Sequence, residues 1–212
     1  MQNVRVIFSK TGRAKYISHL DLARTMTRVM RRAAIPLWYT EGFNRHPYLT
    51  FAAPLSLGYE GLQETMDLRL QEEMSGEELV QRLNEAMPEG LSALSAGPAV
   101  AKAGELALAD YRLTIHCPAQ TVQALLAQTE IPVEKRTKKK TTKTIDIKPA
   151  FANAGVKEQE GKTVLSVTLP CGSNETINPS LFVSALRTAT GEAYGYSVLR
   201  LALRKADGSL FR

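Results

Sequence analysis

Four arginines in "LARTMTRVMRR", Arg24, Arg28, Arg31 and Arg32, stand four, three and one residues apart. On a helix that spacing sets them on one outer stripe. Asp21 is the only acid beside them, while Lys10, Arg13, Lys15 and Arg45 lie just outside the stripe. A solvated arginine-rich face needs no ligand, but guanidinium groups short of carboxylates suit bidentate recognition of phosphate. A second basic cluster comprises Lys135, Arg136, Lys138, Lys139, Lys140 and Lys143, offset nearby only by Glu134. Threonines rather than aromatics separate these lysines, so the cluster predicts contact with a nucleic-acid backbone instead of base reading.

Acid–base chemistry would have to come from His19, Asp21 and His46. His19 falls in the first turn of the expected helix, where the dipole disfavours an imidazolium and a neutral ring is expected. His46 sits in "GFNRHPYLT" ahead of Pro47, which holds it extended. The third histidine, His116, lies in a strand pattern beside Cys117 and reads as structural. Asn44, His46, Glu64 and Asp67 are candidates for lining a pocket; the alternative for the Asn44–Pro47 stretch is a structural turn. No nucleophile signature, phosphate-binding glycine loop or dinucleotide motif is present. The two cysteines, Cys117 and Cys171, are solitary. Neither zinc nor iron–sulfur ligation is expected, and no metal or cofactor is predicted.

The net charge of +6 conceals a segregation. Residues 1–50 carry nine Lys/Arg against two acids, residues 51–110 three against eleven, and residues 111–150 eight against three. Alternation of this kind points to an anionic partner, RNA above all. Apolar runs such as "FAAPLSLGY" are too short to cross a membrane, and the N-terminus lacks the pattern of a secretory signal. The expected location is the cytoplasm, with both thiols reduced.

The elements that must position these residues follow from periodicity. Val4–Phe8 reads as a strand. Ser18 and Asp21 form an S-x-x-D box that opens a helix over 19–34, stopped by Pro36, with Leu22, Ala23, Met26, Val29, Met30 and Ala33 inward. "LWYTEG", "YLTFAAPL" and "TMDLRLQ" read as extended, "SGEELVQRLNEAM" as a second helix, and "LSALSAGPAV" as a strand. The order then repeats. "YRLTIHC" is a strand and "PAQTVQALLAQT" a helix. "IPVEKRTKKKTTKTIDIKP" and "KTVLSVTLP" are the two middle strands, joined by a loose "AFANAGVKEQEG". "INPSLFVSALRTATG" is a helix capped by Asn178 and ended by Gly191, and "YSVLRLALRKA" closes the unit. The predicted fold is α+β: two tandem ferredoxin-like (split βαβ) halves, residues 1–105 and 106–212.

Residues 6–70 closely resemble the radical-SAM-linked family of bacterial proteins of unknown function. The resemblance is carried by Phe8-Ser9-Lys10, Ser18-His19-Leu20-Asp21, Arg31-Arg32-Ala33, Gly42-Phe43-Asn44, His46-Pro47, Pro54-Leu55, Gly58, and Glu64 with Asp67. "TIDIKP" extends it more loosely into the second half. The family usually has proline in place of Arg45, which implies that Arg45 itself is not catalytic. The resemblance implies a radical-SAM enzyme as partner and a link to RNA or translation, without supplying a reaction.

Together these readings predict a non-catalytic RNA- or substrate-binding accessory protein acting with a radical-SAM enzyme. One alternative is an RNA-modifying or metal-free RNA-cleaving enzyme working through His19, Asp21 and His46 on a ribose hydroxyl. The other is a protein–protein adaptor whose basic stripe docks on an acidic surface.

Overall fold

The structure, a computed structural model, describes residues 1–136, 141–172 and 175–212. It is α+β, with four α-helices among the described residues. The chain divides into two compact units: Met1–Leu106 with Ala202–Arg212, and Ala107–Leu201.

The first unit contains β1 (Gln2–Lys10), α1 (His19–Arg32), β2 (Leu49–Phe51), β3 (Glu60–Leu70), α2 (Gly76–Ala86) and β4 (Leu91–Pro98). The strands run β4-β1-β3 with β2 on β3, every pair antiparallel. Alternation along β1 turns Val4, Val6 and Phe8 to one face, where they pack with Met66, Leu68, Leu70, Leu22, Met26, Met30, Leu79 and Leu83. Ser18 caps α1 as its spacing predicts, its hydroxyl accepting from the Asp21 amide at 3.1 Å. The end of α1 is a Schellman turn. Ile35 N donates to Met30 O at 3.0 Å and Ala34 N to Arg31 O at 3.1 Å, with Ala34 left-handed at φ 50°.

The elements of the second unit are β5 (Leu106–Ile115), α3 (Ala119–Leu126), β6 (Pro132–Arg136), β7 (Thr142–Asp146), β8 (Gly155–Gln159), β9 (Lys162–Pro170), α4 (Ser180–Thr190) and β10 (Tyr196–Lys205), with Leu106 and residues 202–205 counted in the first unit. Its sheet runs β10-β5-β9-β8. The expectation that 131–149 supplies a middle strand is corrected: among the described residues β6 and β7 pair with each other as a separate two-stranded sheet. The supposed loose connection holds β8 instead, joined to β9 by a two-residue turn with Glu160 at φ 50° and Gly161 at φ 71°. Two successive positive φ values make this the turn whose twist matches its strands. Asn178 does serve the start of α4, its Oδ1 accepting from the Ser180 amide at 3.0 Å, and Gly191 ends that helix at φ 75°.

Candidate nucleic-acid interface

The arginine stripe divides when its side chains are placed. Arg24, Arg28 and Arg31 are exposed on the outer side of α1. Arg24 lies 3.5 Å from Asp21 with both side chains more than half exposed. Such a pair is worth little in water. Arg28 and Arg31 have no hydrogen-bond or ion-pair partner among the described residues. Arg32 is used differently, donating to the carbonyl of Ala86 at the end of α2. There a cation satisfies a helix-terminal carbonyl and the negative end of the dipole.

The candidate acid–base residues each have a local task. Asp21 accepts from the Ser18 hydroxyl at 2.7 Å, completing the helix cap. His19 is exposed, its ring packed edge-on against Phe51 at 5.2 Å, and Phe51 in turn meets Phe8 at 5.9 Å. His46 belongs to a closed loop. Thr40 N donates to His46 O at 2.9 Å, and His46 N donates to Thr40 Oγ1 at 3.2 Å. His46 Nδ1 lies 3.2 Å from both Thr40 Oγ1 and the carbonyl of Asn44. A carbonyl only accepts, so Nδ1 carries the proton in this arrangement. Asn44 and His46 are both exposed, and Tyr39 bridges to Pro47 at the base of the loop.

Glu64 and Asp67 occur on β3 but face opposite sides of it. Glu64 is buried opposite Phe8, on the helix-covered side. Asp67 binds Arg5 through two bonds, Nε–Oδ1 at 2.7 Å and Nη2–Oδ2 at 2.8 Å. Arg5 Nη2 also donates to Ala101 O at 2.9 Å, and its guanidinium stacks 4.1 Å above the Phe211 ring. Nothing in the local sequence announced this anchor, because Arg5 and Phe211 lie at opposite ends of the chain. A second guanidinium, Arg69, lies 4.8 Å from each of the Trp38 and Tyr48 rings and donates to Asn3 Oδ1.

In the second unit the β6–β7 register sets Lys135 directly opposite Lys143 and Arg136 opposite Thr142. Like charges across a ladder are unfavourable unless something else separates them. Here Lys135 turns aside, donating to Thr176 O at 2.6 Å, and Lys143 is exposed. Lys138, Lys139 and Lys140 lie outside the described residues. A cavity of about 420 Å³ between β6 and α4 is lined by Pro132, Val133, Glu134, Ser184, Ala185 and Thr188. Its two hydroxyls are spent on their own helix, Ser184 donating to Ser180 O and Thr188 to Ser184 O.

Both cysteines are buried free thiols. Burial pushes the Cys117 thiol up, opposed by its contact with the Thr163 hydroxyl. Among the described residues no three His, Cys, Asp or Glu side chains are grouped as metal ligands. No helix of the described residues is long and apolar enough to cross a membrane.

Residues 3–179 fit the model of a family described as "uncharacterized protein conserved in bacteria (DUF2344)". No curated protein matches the chain.

Proposed function

The chain belongs to this uncharacterized bacterial family, and we propose that it is a non-catalytic RNA-binding accessory protein that works beside a radical-SAM enzyme. The observation that carries the RNA reading is the pair of exposed, unpartnered guanidinium groups, Arg28 and Arg31, on the outer side of α1. Two like charges less than a turn apart repel each other, and a polyanion is the ligand that relieves the repulsion. The basic β6–β7 hairpin supports the same reading from the second unit. The radical-SAM partner rests on the resemblance of residues 6–70.

We also read each unit as ferredoxin-like. Support comes from the strand orders, β4-β1-β3-β2 and β10-β5-β9-β8, in which two helices cross between antiparallel strands. The β6–β7 hairpin is then an insertion after α3. The enzyme reading finds less support, since Asp21, His19 and His46 are each occupied by a cap, an aromatic contact or a loop closure.

The test is RNA binding by the purified protein across a salt series, beside the double variant Arg28→Gln/Arg31→Gln. For a single strand the slope of log affinity against log salt is roughly −0.7 per phosphate contact, so the variant's slope becomes shallower by about 1.4 if both arginines engage phosphates. Absence of binding at low salt removes the proposal and leaves the stripe as a face for an acidic protein.

A further inference from the structure

Three large apolar side chains stand in solvent around the start of α1: Tyr16 at 68% exposure, Leu20 at 59% and Leu57 at 62%. Tyr16 and Leu20 are four residues apart, and a backbone hydrogen bond from Gly58 to Lys15 brings Leu57 to the same turn. Tyr16 ends a short 3-10 turn, Gly12–Tyr16, fixed from below by buried Lys10, whose ammonium donates to Lys15 O at 3.3 Å and Ile17 O at 3.1 Å. Gly58 N donates to Lys15 O at 2.8 Å, which draws Leu57 alongside the same turn. Leu20 then begins a line on α1, with Arg24 and Arg28 following at four-residue intervals and Arg31 three further on. At 1.5 Å per residue, cations recur about every 4.5–6 Å down the helix from the apolar shelf.

The surroundings of this shelf are cationic. Arg13 is exposed, and the Lys15 ammonium lies 5.4 Å from the Tyr16 ring centroid. The nearby carboxylates are engaged: Asp21 by Ser18 and Arg24, and Glu60 by the Gly12 amide at 2.7 Å. An exposed aromatic ring on a hydrogen-bonded turn, followed along the chain by a row of cations, has the two parts of a single-strand site, a stacking surface and a backbone track. Inside a duplex both faces of every base are already stacked, so only the two end pairs offer a face to Tyr16.

We propose that Tyr16 is the base-stacking platform of a single-stranded RNA path, with Leu20 and Leu57 as its apolar shelf and Arg24, Arg28 and Arg31 along the phosphates. The proposal rests on the RNA reading above and narrows it to unpaired RNA entering at the start of α1.

The experiment compares the wild-type protein with Tyr16→Ala, Tyr16→Trp and Arg28→Gln/Arg31→Gln on a 12-nucleotide oligoadenylate and on a blunt RNA duplex of equal length. Loss of the ring is expected to weaken oligoadenylate binding about 5- to 150-fold and duplex binding far less, as for one stacked base. Tyr16→Trp is expected to keep the affinity and to add a fluorescence that oligoadenylate quenches, separable from that of Trp38 by difference. The exposure of Tyr16 makes a folding defect unexpected, and circular dichroism checks it. If Tyr16→Ala binds oligoadenylate as tightly as wild type while the arginine variant is weakened, stacking is overturned and the RNA reading stands. Equal losses on single strand and duplex also overturn stacking. If wild type binds neither RNA at low salt, both readings fall, and the shelf is left as a docking point for a protein.

Discussion

Arg5 and Asp67 face each other across β1 and β3 as a fork-to-fork pair, with the Arg5 side chain 2% exposed and that of Asp67 24%. One arginine therefore joins two central strands, the Ala101 carbonyl and the Phe211 ring. Removing the carboxylate strands a buried guanidinium. Asp67→Ala is expected to destabilise the first unit by roughly 3–5 kcal/mol, read from chemical denaturation. Arg5→Lys is expected to leave most of the loss in place, because an ammonium cannot make the parallel bonds or the stack. A near-neutral Asp67→Ala would show that the pair does not hold the strands.

Gly76 opens α2 against β4. A Cβ built there would lie 2.1 Å from the carbonyl oxygen of Ala96, a backbone atom that cannot swing away. Gly76→Ala forces the helix off the strand, and a loss of about 1–3 kcal/mol is expected. Unchanged thermal stability would show that α2 slides freely on the sheet.

Ala34 carries the opposite strain. It occupies the left-handed position of the α1 Schellman turn, φ 50°, where a Cβ is unfavourable by roughly 1 kcal/mol or more. Ala34→Gly is expected to raise the melting temperature by about 2–4 °C. A fall would mean that Ala34 makes a packing contribution larger than its strain.

Cys117 links stability to alkaline pH. Burial raises its thiol above the ordinary value, with the Thr163 hydroxyl acting the other way. The folded state thus holds its proton where the unfolded chain gives it up. The resulting stabilisation is full below about pH 8.5, the ordinary thiol value, and is lost as pH rises towards the folded value. Cys117→Ala lacks this dependence, so the stability advantage of wild type over the variant is expected to shrink from pH 8 to pH 10. A constant difference would show that the thiol titrates alike in both states.

How much of this was legible beforehand depended on how local each signal was. The cap of α1 was readable because Ser18 and Asp21 lie three residues apart and the helix carries its own period. The β8–β9 hairpin was not, because its turn places Glu160 where Asn or Asp usually announces two positive φ values. β6 and β7 show strand composition, but period alone does not reveal that they pair with each other and not with the sheet. The arginine stripe was legible as a row, yet Arg32 was lost from it to a carbonyl 54 residues away, Ala86. Asp67 was noticed as an acid, but its partner is 62 residues distant, across a strand pairing that no spacing displays.

The first unit is closed by residues 202–212, where Phe211 lies under Arg5 and the Arg212 carbonyl accepts from the Ala101 amide at 2.8 Å. During synthesis, all of Ala107–Leu201 must be made before those residues exist. At about 5–20 residues per second, a ribosome needs roughly 5–20 s for that stretch. Through that interval the nascent first unit has β1 and β3 available to pair while the Phe211 side of Arg5 stays wet. The second unit, written later, has all of its own residues first, so the order in which the two finish reverses the order in which they begin.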